Sequence, residues 1–142
     1  MSGLVRVQRE VEESTDTINV MIYSDDRSRR DAIKAAVGRR PGAGAPTIEW
    51  HEAATEFGVF DLIEKEDFAF VILDAETGKQ GGMGIAHQLK DEVQNAPKVL
   101  LLIARQQDEW LARWARAEEI VAYPIEPRQM QAAVMRLLAE GK

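Results

Sequence analysis

Cysteine is absent from this 142-residue chain, and with it go disulfide staples, thiolate catalysis and the common structural zinc sites. Histidine is scarce: His51 and His87 are the only two, and their separation along the chain argues against a metal cluster. No apolar run approaches the roughly 20 residues that a membrane-spanning helix needs. The N-terminal MSGLVRVQREVEESTDT lacks the apolar centre of a secretory signal, so a cytoplasmic protein with no membrane role is expected. Cations are outnumbered, 18 Lys and Arg against 24 Asp and Glu, for a formal net charge of −6. That balance argues against a nucleic-acid binder, whose phosphate contacts need clustered positive charge. Internal repeats and low-complexity tracts are missing too. What is present is 45% apolar residues, enough for one complete core and, at this length, too few for two ordinary domains.

The apolar residues alternate between short β-rich runs and amphipathic stretches, the mark of an α/β domain. Strands are expected at Ile18 to Tyr23, Thr47 to His51, Phe68 to Leu73, Val99 to Ile103 and Ile120 to Tyr123. The first, third and fourth are nearly all apolar, as in strands covered by helices on both faces, whereas the alternation in TIEWH suits an edge. The clearest helix starts at Pro127 and carries Met130, Ala133, Val134, Leu137 and Leu138 at helical spacing. Ile33 and Val37 mark the first helix, Phe57, Phe60 and Ile63 the second, and Ile85, Leu89 and Val93 the third. The fourth is expected from Arg105 to Arg116. Residues 1–17 read as a charged, mobile extension ahead of a domain over 18–142. The loop GRRPGAGAP follows a helix and not a strand, which makes it a poor phosphate cradle.

Right-handed crossovers leave few ways to wind five such units, and the smallest common doubly wound sheet is parallel, with order 2-1-3-4-5. Its crevice lies between strands 1 and 3, outside their carboxyl ends. Asp25 and Asp26 follow strand 1, and Asp74 ends strand 3. Carboxylates converging there form a hard oxygen site suited to Mg²⁺. The alternatives are ordinary: Asp26 as the cap of the following helix, and Asp74 as a turn residue.

Several short stretches carry a resemblance: SDD at Ser24–Asp26, LD at Leu73–Asp74, Gly82 in the loop beyond, PKVLLLIAR from Pro97 and AYPIEP from Ala122. In order and spacing they resemble the receiver domain of two-component response regulators, from Ile18 to Ala139, and so imply its flavodoxin-like, CheY-like fold of five strands and five helices. The resemblance makes Asp74 the phosphoacceptor position, taking a phosphoryl group from a partner histidine kinase. It makes Asp25 the second acid of a metal-binding pair and the backbone carbonyl of Glu76 the third protein ligand to Mg²⁺. The first acid of the pair falls on Ser24, with Asp26 next to it as a partial substitute. Only GluGlyLys follows the last helix, so a stand-alone receiver with no output domain, acting in trans, is expected.

Three further positions depart from the family pattern. Ile103 stands where a Thr or Ser would hydrogen-bond the phosphoryl group, Tyr123 where a Lys would pair with it, and Ile120 where an aromatic would act as a rotamer switch. Hydrogen bonds to charged groups contribute about 1.5–3 kcal/mol each, while turning a two-state element from mostly off to mostly on takes roughly 5.5 kcal/mol. Losing two such contacts removes a comparable amount. The expectation is an atypical receiver whose signal is its folded surface, with weak or absent phosphorylation at Asp74. The alternative is a conventional receiver phosphorylated by a histidine kinase with Mg²⁺.

Trp110 and Trp114 lie one helical turn apart on the fourth helix. Either one packs into the core while the other lies along the helix, or both belong to a contact patch, since tryptophan and arginine are enriched among interface anchors. In the family this helix, strand 5 and the last helix form the common partner surface, which gives Arg113, Arg116 and Arg128 as a polar rim. A homodimer, or docking to a histidine kinase or downstream effector protein, is expected there. His87 reads as a solvated or capping residue. An enzyme is the rival class: LDAETG faintly echoes the nucleophile motif of haloacid-dehalogenase-like phosphatases, with Glu76 in place of the general acid. Those enzymes carry the motif on their first strand, and here it lies on the third.

Overall fold

The computed structural model describes residues 16–77, 81–105 and 108–139. The extension expected over residues 1–17 lies outside them as far as residue 15, and so do residues 140–142. Five strands, β1 (Thr17–Tyr23), β2 (Thr47–Ala53), β3 (Phe70–Asp74), β4 (Lys98–Ile103) and β5 (Glu119–Ala122), alternate with five helices. These are α1 (Arg27–Val37), α2 (Glu56–Lys65), α3 (Gly81–Glu92), α4 (Glu109–Trp114) and α5 (Pro127–Ala139). All strand pairings are parallel and the order is β2-β1-β3-β4-β5, as expected. No helix among the described residues is long and apolar enough to cross a membrane.

Period-two alternation sorts the central strands into two cores. Val20, Ile22, Phe70, Ile72, Leu100 and Leu102 face Ile33 and Val37 of α1 and Met130, Val134 and Leu137 of α5. Met21, Val71, Leu73, Leu101 and Ile103 face the other way, onto Val59 of α2, Ile85 and Leu89 of α3 and Ala112 of α4. All five residues of β3 are buried. With about 1.5–3 kcal/mol for each large apolar side chain fully removed from water, these continuous runs hold β1, β3 and β4 at the centre. The mixed TIEWHEA of β2 sits at an edge.

Local signals set the element ends. Asp26 caps α1, accepting from the Ser28 and Arg29 amides at 2.9 and 3.4 Å, and Thr55 caps α2 through the Gly58 amide at 2.9 Å. Pro127 opens α5, where its missing N–H costs nothing. Three expectations are corrected. Helix α4 covers Glu109–Trp114 and ends before Arg116, which adopts φ 64°; residues 106 and 107 of the expected span lie outside the described residues. The amides of Arg116 and Ala117 then fold back onto the Arg113 and Ala112 carbonyls, a left-handed helix stop. In α2, Phe57 is 80% exposed and Val59 is the buried residue. Phe68 precedes β3 instead of opening it, and its ring meets the edge of His51 at 5.3 Å.

Candidate functional site

Parallel strands deliver their carboxyl ends to one rim, where the β1–α1 loop (Ser24–Asp26) meets the end of β3. Asp74 is fully buried there, and both its oxygens are taken. Oδ2 accepts from the Ser24 hydroxyl at 2.8 Å, the Thr77 hydroxyl at 2.9 Å and Nη1 of Arg29 at 3.0 Å. Oδ1 accepts from the Glu76 amide at 3.0 Å. A carboxylate offers about two lone-pair directions on each oxygen; three donors crowd Oδ2 and one reaches Oδ1 among the described contacts.

The two hydroxyls are themselves oriented from behind. The Asp25 amide donates to Thr77 Oγ1 at 3.2 Å and the Asp26 amide to Ser24 Oγ at 3.1 Å. Each hydroxyl has one proton, and Asp74 Oδ2 is the nearest carboxylate acceptor for both, with Asp25 Oδ1 a longer alternative for Thr77 at 3.4 Å. The two hydroxyl oxygens also lie 3.0 Å apart, within hydrogen-bond reach of each other around their shared acceptor. Arg30 braces the same loop, donating to the Ser24 carbonyl at 2.6 Å and to Glu52 at 2.7 Å.

Arg29, in the first turn of α1, supplies the positive charge. Its guanidinium pairs with Asp74, lies 5.3 Å from the centroid of the Tyr123 ring and reaches to 3.8 Å from Asp26. Cation and ring face attract. The hydrogen bond to Asp74 outweighs partial burial and raises the Arg29 pKa further. The Tyr123 hydroxyl is buried and meets hydrogen-bond geometry with no atom of the described residues. It is nonetheless near enough to Asp74 to feel its charge. Burial first, and then that charge, push its pKa well up, so it stays neutral. Ile103 is fully buried in the core, and Ile120 packs at its margin.

Asp25 is exposed at the rim, and its neighbour Asp26 is engaged as the α1 cap. There the Ser28 hydroxyl, at 2.6 Å, is the foremost of the contacts holding its carboxyl below the usual range. This corrects Asp26 as a metal substitute. Magnesium demands near-octahedral oxygens at about 2.0–2.1 Å, but the inner acid carries three donors on Oδ2, one of them a guanidinium. Ser24 is a neutral hydroxyl where a second inner acid would stand. Among the described residues no three His, Asp or Glu cluster as a metal group. As arranged, Asp25, Asp74 and the Glu76 backbone do not fit Mg²⁺.

Sequence reasoning missed Arg29 and Thr77. Thr77 follows Asp74 within one tight turn, where its amide also bonds the Asp74 carbonyl at 3.3 Å, and that proximity was a usable signal. Arg29 carried a weaker one, its place just inside a capped helix whose first-turn side chains lean back toward the strand ends.

Of the two expectations for the tryptophans, core packing of one of them is not met. Trp110 is 66% and Trp114 54% exposed, so neither enters the core. Trp114 stacks on His87 of α3, with centroids 4.1 Å apart. His87 approaches Asp91 at 3.3 Å, and Asp91 also pairs with Arg116. His87 is therefore stacked under Trp114 and in contact with Asp91, not merely solvated, and Trp114 borders the α3–α4 seam. Arg113 pairs with Glu109 on its own helix, and Arg128 stands exposed on the first turn of α5.

No family model matches the chain. It is 36% identical over 126 residues to an uncharacterized response regulatory protein of Mycobacterium tuberculosis H37Rv, covering 89% of this chain and 95% of that protein. The counterpart in strain CDC 1551 matches equally. Among solved structures, a putative response regulator from Chloroflexus aurantiacus J-10-fl aligns with TM-score 0.75 at 20% identity, over 88% of this chain and 100% of its own. The receiver domain of the Francisella response regulator 1452 gives 0.74 at 16%, over 88% and 99%. The response regulator TrrA of Thermotoga maritima, solved in complex with Mg²⁺–BeF, gives 0.70 at 21%, over 84% and 98%. Curated relatives and fold together establish that this chain belongs to the response regulator family of two-component signalling and has the fold of its receiver domain.

Proposed function

We propose that this is an atypical receiver in which Asp74 is held out of phosphotransfer and the signal is carried by contacts of the folded surface with another protein. The contact between Arg29 and Asp74 is the observation that supports this most. Attack on phosphorus needs a carboxylate lone pair free and in line with the leaving group, with cations available for the phosphoryl oxygens. Oδ2 of Asp74 gives its lone pairs to three donors, and the Arg29 cation is committed to the carboxylate itself. A phosphoryl group arriving there finds apolar Ile103 and uncharged Tyr123 where the family holds it.

On this reading phosphorylation is weak or absent, the chain is not an enzyme, and it acts in the cytoplasm by docking. Its partner is a histidine kinase, a downstream effector protein or a second copy of itself. The docking face is Trp110 and Trp114 on the α3–α4 seam, rimmed by Arg113 and Arg116; Arg128 lies outside it on α5. The test is treatment with acetyl phosphate and Mg²⁺ followed by intact mass measurement, where the chain is expected to stay unmodified. A stoichiometric phosphoryl adduct lost in Asp74→Asn would instead establish the second reading, a conventional receiver phosphorylated with Mg²⁺. The position of Asp74 at the end of β3 and the Mg²⁺–BeF complex of the Thermotoga protein favour that alternative.

A further inference from the structure

We infer that Arg29 is the resident cation of the Asp74 site, replacing both the divalent ion and the strand-5 lysine of the family and excluding Mg²⁺ by occupying the same carboxylate oxygen. The inference rests on the reading of Asp74 as held out of phosphotransfer and supplies the residue responsible.

A fully buried carboxylate must be paired, hydrogen-bonded or neutralised. Where the resemblance places a second metal-binding acid, Ser24 brings only a hydroxyl, and where it places a lysine, Tyr123 brings only a neutral ring. The one cation on Asp74 among the described contacts is the guanidinium at 3.0 Å. Arg29 is 40% exposed while Asp74 is buried completely, so the arginine reaches in from the rim and closes the crevice above the acid. Its approach is prepared from two sides. Tyr123 offers a ring face at 5.3 Å, which a lysine there could not, and Asp26 draws Nε from the cap of the same helix. The changes at Ser24, Tyr123 and Arg29 thus form one set. The site gives up an inner acid and the β5 cation, and it gains a cation from α1 that is already in contact with the acid. A divalent ion on Asp74 Oδ2 would stand beside the guanidinium with like charge in a partly dry site, where the repulsion is little screened. Arg29 would have to leave first.

The test is calorimetric titration of the full chain with MgCl₂ alone. The unaltered protein is expected to show no saturable binding, and Arg29→Gln, which keeps polar reach without charge, to gain at least about tenfold in Mg²⁺ affinity. Adding Asp25→Asn should abolish that gain, and Arg29→Lys should remain without binding. A folded Arg29→Gln chain that binds no Mg²⁺, or a lysine variant that gains as much as the glutamine one, overturns the proposal. Should Arg29→Gln fail to fold, Tyr123→Leu removes the ring support while leaving the arginine. A few-fold gain is expected there, and none would overturn the proposal. Acetyl phosphate labelling of the unaltered chain tests Asp74 as a phosphoacceptor, whereas these titrations test Arg29, so the two can fail separately.

Discussion

The indole of Trp114 lies flat on the imidazole of His87, with centroids 4.1 Å apart and planes 14° from parallel. This stack ties the short helix α4 to α3, although both rings remain reachable from solvent. An aromatic pair of this kind contributes about 0.5–1.5 kcal/mol beyond its burial. Trp114→Ala is therefore expected to lower stability by about 1 kcal/mol in urea unfolding. Trp110, one turn earlier and 66% exposed, has no ring partner among the described contacts. Trp110→Ser should leave stability within about 0.5 kcal/mol while weakening self-association in sedimentation or capture of a partner. If both variants sediment and bind like the parent, the α3–α4 seam is not the docking face.

Tyr123 presents the opposite case, a polar atom buried without a hydrogen-bond partner among the described residues. Removing it should relieve a desolvation cost, so Tyr123→Phe is expected to be neutral or stabilising by up to about 1 kcal/mol. The variant should also change the alkaline limb. The folded pKa of Tyr123 is raised, by burial first, so the unfolded chain ionises earlier. The stability this contributes is complete below about pH 10 and is lost as pH rises past it. Tyr23, raised by burial and then by Asp25, contributes to the same limb. The phenylalanine variant should therefore show a shallower loss, not a flat one, when midpoints are compared between neutral and alkaline buffers.

Glu52 sets a small acid limb. Hydrogen bonds from Lys34 first and Arg30 second hold its carboxyl below the ordinary range, at 2.6 and 2.7 Å. A depressed folded pKa contributes stability above the unfolded value and loses it as pH falls through the folded one. A third of the Glu52 side chain is exposed, so Glu52→Gln should cost no more than about 1 kcal/mol at pH 7 and nothing at strongly acidic pH. Equal destabilisation at both would contradict the linkage.

Gly82 lies against the backbone of Asp74. A Cβ there would stand 2.8 Å from the Asp74 carbonyl carbon and oxygen and 3.0 Å from Leu73 Cβ. Gly82→Ala therefore has to push α3 off the end of β3, at about 1–3 kcal/mol. Loss of protection at the Glu76 amide in hydrogen exchange would show that the turn around Asp74 moved with it. A chain as stable as the parent, with that amide still protected, would mean that the contact relaxes freely.

Much of the architecture was legible along the chain. FVIL and VLLLI are apolar at every second position and at those between, as strands covered on both faces require, and crossover handedness then left few windings, of which the smallest common one is the order observed. Asp74 was legible as well, because a lone acid ending such a run has to stand at the sheet's carboxyl rim. The length of α4 was not. Arg116 in a left-handed conformation stops that helix, and arginine carries no signal for it. Phe57 reads as an apolar anchor in sequence, yet helix rotation turns Val59 inward instead.

The amino-acid sequence by itself determined the sheet, the crevice and the loss of the partners expected at Ser24, Ile103 and Tyr123. Only the tertiary structure decided what took their place. RSRR offers three arginines within one turn, and at about 100° of rotation per residue the docking angle of α1 alone selects among them. It sends Arg29 to Asp74 and Arg30 to Glu52 and the Ser24 carbonyl. Periodicity records which face of a helix is apolar, whereas ion pairing across elements depends on where helix and strand end in space. That is why the acid could be found by reading the chain and its cation could not.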